Sequence, residues 1–386
     1  MPSLPNPLID LHRNQPDTEF QPYADLEIVS TYGQPEAEYS AIRKSTGLMD
    51  LPQRGLLELS GKDRLPFLNN LITNQVYDKN SKQPLAAGQG VYAFLLNAKS
   101  GRIITDLNVL ELGDRTLLDL DVRLIDSVRQ SLDKYLFAEQ VKITSRVGEL
   151  HQIALHGPTA PELLRGMGVS PMQLQPHQCA PIDLFETQAT LYRDDPTGSP
   201  GCHLILPAAD APRIWSTLLD RFAQSDTLGK RPLRPIGWAA FNATRIEAGR
   251  PLFGIDFDDT ILPAETGDLF SRAVSLTKGC YPGQEIVARM HARQQVAKKL
   301  IGLRMQSDAL PIAGTKIFDD ANNEIGGVTS STVSPILSSA ALCLGYLKRP
   351  HFNIGTIVNI PAEGALRKAV VVELPFVKPG IDPRVA

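Results

Sequence analysis

Residues 91–112 read VYAFLLNAKSGRIITDLNVLEL. Two apolar runs flank a short segment that ends in glycine, so the stretch predicts two antiparallel strands, Val91–Leu96 and Ile103–Leu112, joined by a hairpin turn. Along the rest of the chain, predicted helices and strands alternate irregularly. This order predicts an α+β fold rather than a doubly wound parallel sheet.

The sequence pattern changes from about residue 299 onward. Short β-rich runs separated by Gly, Pro, Asn and Asp predict a small β-barrel or sandwich. The runs are Lys299–Met305, Thr315–Phe318, Glu324–Ser330, Ala341–Tyr346, Thr356–Ile360 and Arg367–Leu374. We expect a domain boundary near residues 295–299. Residues 1–35 are rich in Pro and Gly and predict an irregular leader.

Length and composition exclude several classes of protein. A chain of 386 residues is long enough for roughly two to three domains. The formal charge of −3 excludes a generally basic nucleic-acid binder. No stretch approaches the ~18–20 apolar residues of a membrane span, and the N-terminal residues lack the features of a signal peptide, so a cytoplasmic location is expected. Four cysteines without a C-x-x-C pair argue against a disulfide scaffold and a structural zinc site.

The most unusual local segment is TKGCYPGQEIVARM, residues 277–290. Pro282 suits the first turn of a helix, because proline lacks the N–H group that would be unpaired there. Cys280 is therefore expected just before a helix N-terminus and near Lys278, two features that favour a thiolate. The alternative is that Cys280 is a small buried apolar side chain.

Two further side chains are candidates for ligand binding. On a predicted helix that Gly249 ends, Trp238 and Arg245 share one face. An arginine beside an aromatic ring suits a planar ligand with a carboxylate, and pairing with a neighbour inside the protein is the alternative. Asp106 shares a strand face with Asn108 and would contact a ligand amine or ring nitrogen. The alternative is a solvent-facing carboxylate.

Several segments resemble the superfamily of the glycine-cleavage T-protein, a tetrahydrofolate-dependent aminomethyltransferase. They include Ser45-Thr-Gly-Leu-Met-Asp50, Ile153-Ala-Leu-His-Gly-Pro158 and Arg245-Ile-Glu-Ala-Gly249, and the resemblance extends from about Tyr39 to Val377. The motif Lys278-Gly-Cys-Tyr-Pro-Gly-Gln-Glu285 is similar to that of the YgfZ-type folate-binding proteins of iron–sulfur cluster maintenance.

The resemblance implies a three-lobed ring with folate in its central hole. Two interleaved α+β lobes would make up a folate-binding region over residues 36–295, and a C-terminal β-barrel would follow. The lobes would combine about 36–55 with 148–235 and 56–147 with 236–295, and the barrel would span 296–386. By the same resemblance, Arg245 approaches the folate glutamate tail, and Asp106 lies near the pterin or the one-carbon end. Gly279, Gln284 and Glu285 are implied as further cofactor contacts around Cys280.

Three departures from the T-protein pattern speak against aminomethyl transfer. Thr105 precedes Asp106 where T-proteins carry a second acid, and His203 replaces a pterin-contacting Glu. Arg54 ends a segment that resembles the T-protein Asp-Val-Ser-His-Met run.

The leading hypothesis is therefore a tetrahydrofolate-binding accessory protein for iron–sulfur cluster assembly or repair, acting through Cys280. Its partners would be iron–sulfur client or assembly proteins, with no nucleic acid, membrane or bound metal. The alternatives are a tetrahydrofolate-dependent aminomethyl- or methyltransferase, and a folate-stabilised scaffold that binds client proteins through the basic stretch Arg289–Arg304.

Overall fold

The computed structural model of the protein describes residues 6–169, 174–225, 231–293 and 296–378. Contacts between residues divide the chain into two units. Unit 1 comprises Met1–Ala93, Asp106–Asp195 and Ser199–Phe241. Unit 2 comprises Phe94–Thr105, Pro196–Gly198 and Asn242–Ala386. In the described ranges, no helix is long and apolar enough to cross a membrane.

The helices and strands are numbered in chain order. The helices are α1 (Ile9–Arg13), α2 (Pro35–Lys44), α3 (Arg64–Asn69), α4 (Ile125–Asp133), α5 (Ala160–Gly166), α6 (Ala211–Phe222), α7 (Trp238–Glu247), α8 (Leu269–Ala273) and α9 (Gln284–Arg293). The strands are β1 (Glu19–Tyr23), β2 (Leu26–Thr31), β3 (Thr46–Asp50), β4 (Arg54–Ser60), β5 (Tyr77–Asp78), β6 (Gln83–Pro84), β7 (Gly90–Leu96), β8 (Ile103–Glu111), β9 (Arg115–Asp121), β10 (Lys142–Ser145), β11 (Leu150–His156), β12 (Cys179–Leu184), β13 (Thr187–Arg193), β14 (Gly201–Pro207), β15 (Leu233–Pro235), β16 (Lys298–Met305), β17 (Lys316–Phe318), β18 (Glu324–Ser334), β19 (Ala340–Lys348), β20 (Ile357–Ala362) and β21 (Ala365–Val372).

Unit 1 is built on two sheets that pack face to face. Their strand orders are β10-β4-β9-β8-β7 and β12-β13-β14-β11-β3-β15. Side chains alternate between the two faces of a strand, so in β14 Leu204 and Leu206 join the core under α5 and α6, while Ile205 points the other way. Ile205 packs with Leu56 of β4 and Leu117 of β9 in a second cluster between the sheets. Polar groups on these inner faces are therefore held in a buried setting.

The prediction of an irregular leader over residues 1–35 is wrong for the described part of that segment. It forms α1 and the antiparallel pair β1–β2. His12 of α1 is fully buried, and its Nε2 lies 2.9 Å from a carboxylate oxygen of Asp50 in β3. Leu8 is buried in the core of unit 1. These contacts with distant residues order a segment whose local composition favours turns.

Unit 2 contains a closed barrel with the strand order β16-β19-β18-β17-β20-β21. Each of the six predicted β-rich runs overlaps one of these strands, and their inward apolar residues form one core. Helix α7 lies against the barrel through Ile246, which packs with Leu342 and Leu344 of β19. The expected α+β class with a closed C-terminal barrel is confirmed. The predicted boundaries of the interleaved lobes stay a prediction.

Candidate functional site

Asp106 lies on β8 of unit 1 and is 8% exposed. The hydroxyl of Tyr92 on β7 donates a hydrogen bond of 2.8 Å to its Oδ2. Burial raises the pKa of Asp106, while the charge of Arg54 and the Tyr92 hydrogen bond act in the opposite direction. A buried carboxylate with a raised pKa is a candidate proton donor or acceptor. The predicted alternative of a solvent-facing carboxylate does not describe Asp106.

Asp119 of β9 is the centre of a buried hydrogen-bond network in unit 1. Its two carboxylate oxygens accept hydrogen bonds from Arg54 Nε at 2.8 Å, Gln152 Nε2 at 2.8 Å, Asn108 Nδ2 at 3.1 Å and the Tyr192 hydroxyl at 2.8 Å. Burial acts to raise the pKa of Asp119, but the charge and hydrogen bond of Arg54 hold it below the ordinary value. The network joins side chains from both sheets of unit 1.

The strand register places these groups on one face of the five-stranded sheet. Arg54 is opposite Asp121, and Asn108 is opposite Asp119. Directly opposed residues project from the same face, and Asp106 does so too because it is two residues from Asn108 on the same strand. We call this set, together with Gln152, Tyr192 and His203 of the facing sheet, the polar cluster.

The polar cluster contains buried atoms without a hydrogen-bond partner among the described residues. They are Asn108 Oδ1 and both ring nitrogens of His203 and of the neighbouring His156. The His203 ring stacks on Tyr192 with centroids 4.6 Å apart and meets His156 edge-on at 5.5 Å. Burial lowers the pKa of both imidazoles, that of His156 to about 3. Each unpaired buried group costs about 1–3 kcal/mol, and a cluster of them indicates a place for a polar ligand.

Arg245 of α7 lies in unit 2 and is fully buried. Its guanidinium forms an ion pair with Asp256 and donates hydrogen bonds to Ser330 Oγ at 2.6 Å and Asn242 Oδ1 at 2.9 Å. Pairing with a neighbour inside the protein, the alternative left open by the sequence, therefore describes this arginine. The contact of Arg245 with the folate tail stays a prediction, and it would require one of these bonds to open.

Cys280 is exposed, in contrast to the other three cysteines of the chain, which are buried. The prediction that Pro282 begins a helix is wrong, because α9 begins at Gln284. Gly283 has φ of +81°, a left-handed conformation that cannot continue a right-handed helix. Cys280 thus lies four residues before α9, on a segment without regular secondary structure that is followed by a turn.

The segment around Cys280, which we call the motif loop (residues 278–285), is held by its neighbours. Lys278 and Tyr281 are 6% and 7% exposed, and the Lys278 ammonium lies 4.8 Å from the centre of the Tyr281 ring. A Cβ at Gly283 would lie 3.1 Å from the Cα of Gly101 in the turn between β7 and β8. The motif loop therefore packs tightly on that turn while the thiol of Cys280 faces solvent.

The other predicted folate contacts lie just before α9 or in its first turn. The predicted basic stretch begins on α9 and continues into β16. Gly279 and Glu285 are exposed, and Gln284 is partly buried. Lys298 lies 5.1 Å from the centre of the Tyr346 ring. The side chain of Arg293 lies outside the described residues. Within the described residues, no group of three or more potential metal ligands is present.

The polar cluster extends beyond what the sequence predicted. Asp106 and Asn108 were found from strand alternation, but Arg54, Asp119 and Tyr192 were not connected to them. A signal was present in β9, where two aspartates alternate with buried leucines in the segment Leu117-Leu-Asp-Leu-Asp121.

Comparison with known proteins identifies the family. The chain matches the family described as GCVT N-terminal domain over residues 9–278 and the one described as glycine cleavage T-protein C-terminal barrel domain over residues 298–378. It is 29% identical over 352 residues to the aminomethyltransferase of Halalkalibacterium halodurans, covering 89% of this chain and 90% of that protein. It is 28% identical over 376 residues to the aminomethyltransferase of Bacillus subtilis, covering 96% of this chain and 98% of that protein.

A solved structure has the same fold. The structure is similar to the crystal structure of glycine cleavage system aminomethyltransferase T from Bartonella henselae, with a TM-score of 0.83, 24% identity, and coverage of 97% of this chain and 98% of that chain. The expected resemblance to the T-protein superfamily is confirmed. Because the first family spans most of the chain, from residue 9 to 278, this protein belongs to the glycine-cleavage T-protein family.

Proposed function

We propose that this protein binds tetrahydrofolate at the polar cluster of unit 1 and transfers a one-carbon group from an amine donor, as a T-protein-type aminomethyl- or methyltransferase. The family and the relatives named aminomethyltransferase support this activity. This activity was the alternative hypothesis, and the family favours it over the iron–sulfur role. A cytoplasmic location is part of the proposal.

The polar cluster fits a flat ligand with many hydrogen-bonding atoms. Asn108 Oδ1 can accept a hydrogen bond, and each neutral imidazole can both donate and accept one. Neither Asn108 Oδ1 nor the nitrogens of His203 are satisfied by described residues. When bound, tetrahydrofolate would supply the amine nitrogens that carry the one-carbon unit. The replacement of an acid by His203 changes the partner offered to the ligand, but keeps a hydrogen-bonding group there.

One observation carries the proposal: Asp106 is buried, fixed by Tyr92, and has a pKa raised by burial. A carboxyl group in such surroundings retains a proton at a pH where an exposed aspartate has lost it. Asp106 would exchange a proton with the amine nitrogen from which the one-carbon group departs. Tyr92 would hold the carboxylate in one orientation during this transfer.

The test is the rate at which methylene-tetrahydrofolate forms from an aminomethyl donor, with release of ammonia, or methyl-tetrahydrofolate from an N-methyl donor, with release of the demethylated amine. We expect Asp106→Asn to lower this rate by about 10²–10⁴-fold, the usual contribution of a general acid or base, with little change in tetrahydrofolate affinity. Asp114→Asn is the matched control, because the Asp114 side chain is 71% exposed. An unchanged rate in Asp106→Asn, or no product from the wild type with any amine donor, would overturn the proposal.

We propose as a second candidate a YgfZ-type role in iron–sulfur cluster assembly or repair, acting through Cys280. Its supporting observation is the motif loop, in which buried neighbours hold an exposed thiol. Iron–sulfur client or assembly proteins would be the partners. The predicted folate contacts Gly279, Gln284 and Glu285 lie in this loop and stay a prediction.

Complementation of a deletion strain separates the two candidates. If the second is correct, Cys280→Ala fails to restore the activity of iron–sulfur enzymes, whereas Thr277→Ala, an exposed substitution just before the motif loop, restores it. If the transferase proposal alone is correct, Cys280→Ala retains the rate of one-carbon transfer, and Asp106→Asn loses it. Full restoration of iron–sulfur enzymes by Cys280→Ala would exclude the second candidate.

A further inference from the structure

Arg54 presents unused hydrogen-bond donors at the polar cluster. Its Nε donates to Asp119, but neither Nη1 nor Nη2 makes a hydrogen bond to a described residue. The Arg54 side chain is 23% exposed, whereas that of Asp119 is 1% exposed. The Nε of Arg54 is thus fixed by a buried carboxylate, while Nη1 and Nη2, which we call the fork of the guanidinium, are accessible.

Other arginines in buried or partly buried networks are occupied differently. The guanidinium of Arg123 donates through Nε and Nη2 to Asp121 and through Nη2 to the hydroxyl of Tyr23. Arg245 uses Nε, Nη1 and Nη2 for protein partners. In Arg54, by contrast, Nε is held in place while Nη1 and Nη2 remain accessible. Such a guanidinium is pre-organised for a ligand, because the side chain loses little conformational freedom on binding.

The surroundings of Arg54 favour a singly charged acid group. A guanidinium fork matches the two oxygens of a carboxylate, each of which accepts one hydrogen bond. The same sheet face carries Asp119 and Asp121, whose pKa values are lowered and whose charges would repel a doubly charged phosphate more strongly than a carboxylate. Asp106 lies two strands away from Arg54, about 10 Å between backbones, and its carboxyl group can exchange a proton or a hydrogen bond with an amine on the same ligand.

We propose that the Nη1/Nη2 fork of Arg54 binds a ligand carboxylate beside Asp106, an inference that rests on the proposed function. Two ligands share this chemistry. One is a small N-methyl amino acid, with its carboxylate on Arg54 and its amine toward Asp106. Its methyl group would pass to a tetrahydrofolate nitrogen as the donor C–N bond breaks, with one proton lost from that nitrogen and one gained by the departing amine, so no oxidant is needed. The other is tetrahydrofolate itself, through the carboxylates of its glutamate tail. If the folate tail is the ligand, Arg54 would take the part predicted for Arg245, whose guanidinium is engaged inside unit 2.

The experiment compares each ligand with a partner that lacks the carboxylate. The first arm measures binding of tetrahydrofolate and tetrahydropteroate, which lacks the glutamate, by calorimetry. The second arm measures binding of sarcosine and sarcosinamide by thermal-shift titration. We expect the wild type to prefer the carboxylate ligand by about 10–100-fold in one arm, the range of a charge-assisted hydrogen bond. The arm that shows the preference identifies the source of the carboxylate.

Variants of Arg54 test whether its guanidinium fork causes the preference for the carboxylate ligand. Arg54→Lys keeps the charge but not the fork, and should abolish the preference. The double variant Arg54→Gln with Asp119→Asn removes both charges of the pair and serves if the single variant does not fold. Arg146→Lys is the matched control, since that side chain is 30% exposed and its guanidinium is occupied by Glu58 and Glu149.

The outcomes separate this inference from the proposed function. If the wild type transfers one-carbon groups to tetrahydrofolate but shows no preference in either arm, the inference fails and the function stands. A preference that survives in both Arg54 variants also overturns the inference. If tetrahydrofolate does not bind the wild type, the proposed function fails, and the sarcosine arm alone decides the role of Arg54.

Discussion

Lowering the pH should destabilise unit 1 through His156, and replacing this histidine by phenylalanine should remove much of the effect. His156 is the last residue of β11 and is fully buried. Its ring lies against Phe241 and His203, with centroids 5.5 Å away in both cases, and its nitrogens have no partner among the described residues. His156→Phe keeps a ring of similar shape in this packing, but that ring cannot take up a proton.

The magnitude follows from the difference in pKa between the folded and unfolded chain. Burial lowers the pKa of His156 from 6.5 to about 3. The folded form therefore binds fewer protons than the unfolded form between these values, and the free energy of unfolding falls as the pH drops below 6.5. One proton corresponds to about 1.4 kcal/mol per pH unit, and the unfolded histidine is already half protonated at pH 6.5, so lowering the pH from 6.5 to about 4.5 should cost ~2.3 kcal/mol. The lowered pKa of His203 acts in the same direction.

The assay is urea unfolding followed by tryptophan fluorescence at several pH values. Both tryptophans of the chain, Trp215 and Trp238, lie in unit 1, so the signal reports on the unit that contains His156. Between pH 6.5 and 4.5, His156→Phe should lose less stability than the wild type, by the ~2.3 kcal/mol assigned to this histidine. His291→Phe, at an exposed position on α9, is the control. Equal pH dependence in the wild type and His156→Phe would refute the reasoning.

Three further results are expected. Asp256→Ala should lower the free energy of unfolding by about 3–5 kcal/mol, measured by chemical denaturation, because it leaves the charge of Arg245 buried and unpaired; a loss below about 1 kcal/mol would contradict this. Gly283→Ala should cost at least about 1 kcal/mol in the same assay, since its φ of +81° and the close backbone of the β7–β8 turn disfavour a Cβ, and unchanged stability would show that the motif loop adapts. Tyr92→Phe should shift to higher pH the limb of the pH–rate profile that reports the titration of Asp106, because the lost hydrogen bond had lowered the pKa of Asp106; an unshifted profile would argue against Asp106 as the titrating group.

The barrel and the central hairpin could be predicted because their signals are local. Turn residues separate apolar runs of strand length in the barrel, and Gly101, with φ of +66°, ends the turn between β7 and β8. The leader could not be predicted in this way. Its order depends on contacts such as His12 with Asp50, which are 38 residues apart in the chain. No local pattern encodes such a pair.

In the candidate site, too, the features with a local sequence signal could be predicted and the contacts between distant residues could not. Strand alternation placed Asp106 and Asn108 on one face, and this is where they lie. The bond from Arg54 to Asp119 joins residues 65 positions apart, and it depends on β4 and β9 being neighbours in the sheet. For Arg245, helical spacing identified the face but not the partner, because Asp256 lies on the segment that follows the helix. Residue spacing within one helix or strand predicts which face a side chain occupies. The partner of that side chain depends on how the helices and strands are arranged in the fold.

The contrast between Cys280 and the other cysteines has a practical consequence. Burial raises the pKa of the Cys179, Cys202 and Cys343 thiols to about 12, which keeps them protonated and out of reach of water-soluble electrophiles. A maleimide dye or a nitroxide spin label should therefore attach to the native chain at a stoichiometry of one. Because buried neighbours hold the motif loop, a reporter attached there would follow movements of unit 2 in a protein whose sequence needs no change.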